Sequence, residues 1–276
     1  MFPLIKQVRG PHKILISYFS YLIDQCLSVR SLNLAETIYA QLIKFGLDRS
    51  TFLGNRCLDL YFKLGAPYDG LRIFDCVTEK NTISWNISLN GLLKFGHFWG
   101  ALSMFDEMPE RDVVSWNSMI MGCKSCGFSS YALKLFSDMQ HAGVRPSEFT
   151  FSILTSLVLC SLQAKQIHGS MIRRGACFSN VVLGNSLIDM YGKLGLVDYA
   201  FGVFLSMSEL DIISWNSSIS SFCKCGHGEL ALDQFCLMRS LGYSPDAYTV
   251  STVITACSTL QMVEKDWRIQ LSFFKN

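Results

Sequence analysis

Two short motifs place reactive side chains at spacings that suit chemistry. Cys123-x-x-Cys126 has the spacing of a redox dithiol or of half a zinc site. A structural zinc needs two further ligands. The counterpart further along is Cys223-x-Cys225, with no second pair and no histidine set nearby. Helix-end packing is therefore the better assignment for these cysteines. His227-x-Glu229 opens like a zinc deaminase signature, which requires Pro-Cys-x-x-Cys downstream, and none follows. His168 is assigned a structural role, and no glycine-rich phosphate loop or nucleophile and base set occurs elsewhere. The expectation is a protein that is not an enzyme, with no catalytic residue, metal, cofactor or small-molecule substrate.

A different set of polar residues recurs in register. Ser84-Trp85-Asn86, Ser115-Trp116-Asn117 and Ser214-Trp215-Asn216 align, and Asn55 and Asn185 fall in the same column within Leu-Gly-Asn. Successive asparagines lie 31 residues apart, except for one interval of 68. Lys63, Lys94, Lys193 and Lys224 share a second column, with Lys124 displaced by one place. A carboxamide both donates and accepts hydrogen bonds, and an ammonium suits an anion.

The elements that must carry these columns follow from the rest of the period. Ten residues after each asparagine comes Gly65, Gly96, Gly127, Gly195 or Gly226, where a left-handed cap can end a helix. Beyond it runs Ala-x3-Phe-x2-Met: Ala101/Phe105/Met108, Ala132/Phe136/Met139, Ala200/Phe204/Met207 and Ala231/Phe235/Met238, with Gly70/Phe74/Val77 as a weaker copy. Positions i, i+4 and i+7 share one helical face. Each unit is thus a helix, a glycine turn and a second helix. Neither helix buries its apolar stripe alone, so the units stack as an all-α solenoid.

Composition agrees with that architecture. The chain has 276 residues, half of them apolar and 17% charged, which excludes intrinsic disorder. Its longest apolar stretch, Phe149 to Leu162, is interrupted by Thr150, Ser152, Thr155 and Ser156, so no membrane span is expected. Eleven cysteines without framework spacing suggest a reducing compartment.

The Ser-Trp-Asn-x-x-Ile start, the glycine turn, the Ala-x3-Phe-x2-Met helix and the close at Gly242, Pro245 and Asp246 resemble the pentatricopeptide repeat. The mixed unit lengths are similar to its plant PLS subfamily. In that frame the units are 16–50, 51–81, 82–112, 113–147, 148–180, 181–211 and 212–246, of 31, 33 or 35 residues. An eighth, long-type unit begins at Ala247 and matches through Gln261. The resemblance implies a right-handed superhelix whose inner face, lined by first helices, meets one RNA base per unit.

It further implies that the fifth and last residues of each unit choose the base. These pairs are Asn55/Asn81, Asn86/Asp112, Asn117/Ser147, Asn185/Asp211 and Asn216/Asp246. The long-type positions Ser20/Ser50, Ser152/Asn180 and Ser251 are weaker selectors. By the family's pairing rule, Asn with Asp favours U, Asn with Asn or Ser a pyrimidine, and Ser with Asn favours A. Units 51–246 then prefer Y-U-C-A-U-U, with the 5′ end toward the N-terminus. The second residues Phe52, Ile83, Val114, Phe149, Val182, Ile213 and Tyr248 would sandwich the bases. Such stacking on an aromatic is worth about 1–3 kcal/mol per base. Lys63, Lys94, Lys193 and Lys224 would meet phosphates. Four such contacts correspond to a salt slope of roughly −3 on a single strand, so a net charge of +2 does not oppose RNA.

Other assignments stand beside these. Asn early in a helix is also a common N-cap, although recurrence in register with the lysines favours an RNA contact. Trp85, Trp116 and Trp215 precede the asparagines by one residue and so face the core. A protein-binding scaffold of the tetratricopeptide kind shares the helix–turn–helix logic. The PLS resemblance points to organellar RNA processing or recognition of C-to-U editing sites, in the mitochondrion or alternatively the chloroplast. Residues 1–15, with Lys6, Arg9, His12 and Lys13, fit the remnant of a transit peptide. The chain shows no E/DYW deaminase-like domain before Asn276, so editing would require a deaminase-bearing partner. After Gln261 the repeat pattern stops. The tail with Trp267, Phe273 and Phe274 predicts exposed apolar surface, as in a truncated or misspliced product.

Overall fold

The computed structural model describes residues 11–174 and 180–259, and among them it holds fifteen α-helices and no strand. The chain divides after Arg145 into two compact units. The first contains α1 (Pro11–Val29), α2 (Leu32–Lys44), α3 (Thr51–Leu64), α4 (Pro67–Cys76), α5 (Thr82–Lys94), α6 (Phe98–Glu107), α7 (Val113–Ser125) and α8 (Ser129–His141). The second contains α9 (Glu148–Thr155), α10 (Ser161–Arg173), α11 (Val181–Lys193), α12 (Val197–Ser206), α13 (Ile212–Lys224), α14 (Gly228–Ser240) and α15 (Ala247–Thr259). Helix α1 starts at Pro11, so 11–15 are helical although the repeat frame opens at 16. Residues 1–10 and the tail bearing Trp267, Phe273 and Phe274 lie outside the described residues.

Within each unit the odd-numbered helices pack side by side, and each even-numbered helix packs against the one before it. The turns between them share one geometry. Gly65, Gly96, Gly127, Gly195 and Gly226 all have φ between 72° and 87°, the left-handed region that a Cβ disfavours. The following N–H reaches back to close a six-residue Schellman turn: Ala66 to Tyr61, His97 to Leu92, Phe128 to Cys123, Leu196 to Tyr191 and His227 to Phe222, at 2.8–3.0 Å. Carbonyls orphaned at the helix end are thereby satisfied, and the chain reverses.

The Ala-x3-Phe stripe supplies the core. Ala101, Phe105, Ala132, Phe136, Ala200, Phe204, Ala231 and Phe235 are all buried. Three phenylalanines of second helices meet the tryptophan of the next first helix edge-on. Phe74–Trp85, Phe105–Trp116 and Phe204–Trp215 all have ring centroids 4.9 Å apart, at 69–78°. The T-shaped arrangement sets the positive edge of one ring against the negative face of the other. Trp116 and Trp215 are buried by this packing, and Trp85 is half-buried.

Unit length is expressed in the second helix. Helices α4, α6 and α12, in the 31-residue frames, have ten residues each, whereas α8 and α14, in the 35-residue frames, have thirteen. The frame 148–180 differs instead in its first helix, since α9 has only eight residues.

First helices approach closely where a side chain is missing. A Cβ on Gly91 of α5 would lie 2.3 Å from the Phe62 ring of α3, whereas one on Gly202 of α12 would meet nothing within 4 Å. Glycine to alanine inside a helix gains up to about 1 kcal/mol from propensity, and overpacking costs about 1–3 kcal/mol. Gly91→Ala is therefore expected to lower Tm and Gly202→Ala to raise it, as read by circular dichroism melts.

Candidate nucleic-acid interface

The last residue of a frame and the fifth residue of that frame meet through one oxygen. Asn81 is the N-cap of α5, and its Oδ1 accepts from the backbone N–H of Ser84 at 3.0 Å and the Ser84 hydroxyl at 3.0 Å. The same oxygen accepts from Asn55 Nδ2 at 3.2 Å. Asp112 caps α7 and accepts from Ser115 N at 2.9 Å and from Asn86 Nδ2 at 3.1 Å. Asp211 caps α13 and accepts from Ser214 N at 2.7 Å and from Asn185 Nδ2 at 3.1 Å. Asp246, ahead of α15, accepts from Thr249 N at 2.8 Å and from Asn216 Nδ2 at 3.1–3.2 Å. The partners are 26 residues apart in the first three pairs and 30 in the fourth, yet the distance hardly changes.

The capping role therefore belongs to the last residue of a frame, and the fifth-position asparagine lies inside the helix. The cap oxygen must accept from the helix N-terminus, so the asparagine must turn its Nδ2 toward it. Its own Oδ1 then faces inward. In Asn55, Asn86 and Asn185 that oxygen is buried without a hydrogen-bond partner, and each residue is 8% exposed. At Asn216 the Thr249 hydroxyl donates to it at 2.5 Å.

The remaining candidates are arranged differently. Asn117 is buried on α7 in the first compact unit, and Ser147 caps α9 in the second, accepting from Thr150 N at 3.2 Å. Ser50 precedes α3 with no side-chain cap, and the Ser20 hydroxyl is buried without a partner. Asn180 caps α11 but gives its Nδ2 to the Glu148 carboxylate, leaving Ser152 unjoined to it. Ser251 is exposed and donates to the Tyr248 carbonyl at 2.9 Å. The long-type frames thus lack the joined pair of the four frames above.

Around the pairs, the second-position side chains stand in solvent. Phe52, Ile83, Val114, Phe149, Val182, Ile213 and Tyr248 are 47–68% exposed. In the first compact unit Phe52 and Ile83 border a cleft of about 620 Å³, with Asn55, Asn81 and Lys63 among its lining residues. Lys63, Lys94, Lys124, Lys193 and Lys224 are exposed at the ends of their helices. Two features of this column escaped the sequence pattern. Asp59 pairs with Lys63 at 2.6 Å, and Asp189 lies 2.5 Å from Lys193 and 3.9 Å from Lys224. The Asp to Lys spacing of i,i+4 is the signal that would have shown both close pairs. Arg56, also on the cleft, pairs with Asp24.

The other motifs are divided between core and surface, with Cys126, His227 and Glu229 exposed. Cys123 is buried and burial, with Cys126 nearby, pushes its thiol up to about 11. His168 is half-buried, shares a hydrogen bond with the Tyr191 hydroxyl at 2.9 Å, and has its pKa lowered by burial. Among the described residues no group of three or more His, Cys, Asp or Glu could hold a metal ion, and no helix is long and apolar enough to cross a membrane.

Burial pushes the Asp112 and Asp211 carboxyls up. Hydrogen bonds from Ser115 and Asn86, and from Ser214 and Asn185, outweigh it and hold both below the ordinary 3.8. Asp246 is lowered chiefly by the Thr249 N–H. A carboxylate depressed in the folded state contributes stability that is present above its unfolded pKa and lost as pH falls through the folded one. Acid is therefore expected to weaken the fold below about pH 4. Asp211→Asn retains an accepting oxygen, as Asn81 does, and should shrink the fall in denaturation midpoint between neutral and acid pH.

Comparison with known proteins places this geometry in a family. A model described as PPR repeat family matches residues 111–157 and 210–259, and one described as PPR repeat matches 83–113 and 185–212, together more than half of the chain. The Arabidopsis thaliana pentatricopeptide repeat-containing protein At1g43980, mitochondrial, is 54% identical over 96% of this chain and 42% of its own length. The Arabidopsis thaliana protein At1g05750, chloroplastic, is 43% identical over 85% of this chain and 48% of its own. The chain thus spans less than half the length of these curated relatives. The crystal structure of the pentatricopeptide repeat protein PPR10 from maize superposes with a TM-score of 0.54 at 16% identity, over 94% of this chain and 47% of that one. PPR10 in complex with an 18-nt psaJ RNA element gives 0.53 at 18%, over 86% and 35%. The repeated helix pairs, their glycine turns and the matched models make this chain a plant member of the pentatricopeptide repeat family.

Proposed function

We propose that the chain binds single-stranded RNA in a plant organelle, one base to each repeat, as the recognition part of a transcript-processing or editing factor. The observation that carries this reading is the joined pair. Four asparagines, each more than nine-tenths buried, are tied to the cap of the next helix beside exposed apolar side chains. Exposed Phe52 and Ile83 on either side of one such pair leave room for a flat, apolar-faced group. A base stacked there would bring its Watson–Crick edge to the pair.

The pair also supplies a physical reason for base choice. Oδ1 of the last residue is committed to the helix and to the fifth-position amide in Asn81, Asp112 and Asp211 alike. What differs is the other atom, an NH2 donor in Asn81 and a carboxylate oxygen in Asp112 and Asp211. A donor suits the N3 acceptor of cytosine, and an acceptor suits the N3–H of uracil. Asn with Asp then favours U and Asn with Asn favours C, in line with Y-U-C-N-U-U. The unjoined long-type pairs carry little choice. Chemistry on a bound base would fall to a deaminase-bearing partner. The mitochondrion is the compartment in the name of the relative at 54% identity, with the chloroplast as the alternative.

The test is binding of RNA containing the Y-U-C-N-U-U core against the same RNA with U changed to G opposite Asn216/Asp246. A mismatch should weaken binding by about 1–3 kcal/mol, roughly 5- to 150-fold. Equal affinities would sink base recognition, and no RNA affinity at low salt with a captured peptide would favour a protein scaffold. The acids beside the lysines make a second prediction. Asp189→Asn frees Lys193 and Lys224, so RNA should bind a few-fold more tightly at low salt and with a steeper salt dependence.

A further inference from the structure

The four joined pairs are not equivalent, and the difference lies in the third residue of the following repeat. Ser84 and Ser214 place a hydroxyl 2.9–3.0 Å from the cap Oδ1, and Ser115 places one 3.1 Å from it and 2.8 Å from the Asp112 carbonyl. None reaches the fifth-position asparagine, whose Oδ1 stays buried and unpartnered in Asn55, Asn86 and Asn185. Thr249 occupies the same place before Asn216, and its residue is fully buried. Its Oγ1 accepts from Asp246 N at 3.2 Å and lies 2.8 Å from Asp246 Oδ1 and 2.5 Å from Asn216 Oδ1. The hydroxyl has one proton. The carboxylate already accepts from Thr249 N and Asn216 Nδ2, whereas Asn216 Oδ1 has no other donor.

We propose that Thr249 is a positioning residue for base choice at the 212–246 repeat, fixing Asn216 as a hydrogen-bond donor only. The proposal rests on the base-reading function above. A buried carbonyl without a partner is costly, and at the serine sites that cost falls when the amide turns into the cleft to take a donor from a base. Those carboxamides are held by the bond from Nδ2 to the cap alone, so exchanging N–H for C=O costs them one bond, where Asn216 would lose two. At Asn216 the carbonyl is already satisfied, and turning it would break the bond from Thr249. The site then offers the base one N–H, from Asn216, and one acceptor, from Asp246. Uracil, with O4 as acceptor and N3–H as donor, matches this pattern. Cytosine, with an N4 amino donor and an N3 acceptor, opposes it. The 212–246 repeat should discriminate U from C more sharply than 181–211, although both carry Asn with Asp.

The experiment measures affinities of the full chain for single-stranded RNA with U or C opposite either repeat. Thr249→Ser keeps the cap bonds that Ser214 makes, so it should fold and bind the U-containing RNA within about threefold of the parent chain. Its U over C ratio opposite 212–246 should fall by about five- to tenfold, the effect of one hydrogen bond. The converse change, Ser214→Thr, should raise the ratio opposite 181–211 by a similar factor. A parent chain that binds U and C equally at both positions overturns base reading and this inference with it. A parent chain that discriminates, with ratios unchanged in both variants, overturns the role of Thr249 and leaves base reading standing.

Discussion

A single accepting oxygen at the end of four repeats organises much of the structure. Helix N-termini have N–H groups with no partner of their own, and the oxygen of Asn81, Asp112, Asp211 or Asp246 satisfies one of them. The same oxygen takes the amide of the fifth residue of its own repeat. A requirement of folding and the base contact proposed above thus converge on one atom. Because the cap must accept, the asparagine must donate, and its orientation follows without any ligand. Acidity is set by the same convergence, since the bonds that cap the helix also depress the carboxyl.

Packing holds that atom in place from the other side. The tryptophan one residue ahead of the asparagine points into the core, where it meets the phenylalanine of the previous second helix at the same 4.9 Å each time. One face of α5, α7 and α13 is therefore pinned by an aromatic contact and the other carries the amide. The glycine turns close the second helix back onto the first with little freedom. Exposed apolar residues flanking the amides are the one part of this scheme that the fold itself does not use.

Much of this was legible in the residues. The 31-residue spacing of the asparagines, the glycine ten residues on and the Ala-x3-Phe stripe mark the helix pairs, because each records a local backbone or packing demand. Burial of Trp116 and Trp215 follows from their place beside the asparagine, although Trp85 reaches only half-burial. The cap role of Asp112 or Asp211 was less visible, since a resemblance marked these positions for RNA without saying which helix they serve. Asp59 and Asp189 were missed because attention to a lysine column overlooks acids one turn earlier. The shortness of α9 had no local signal, as a frame of 33 residues does not say which helix is reduced. Nor does spacing show that Asn180 turns to Glu148.

The place where length varies has its own significance. Short and standard frames differ by four residues, about one helical turn, and nearly all of it is taken up in the second helix. The asparagine and its cap remain 3.1–3.2 Å apart whether 26 or 30 residues separate them. Insertion or deletion of a turn in the second helix therefore leaves the joined pair intact. Second helices can thus change length without altering the order in which the joined pairs follow one another.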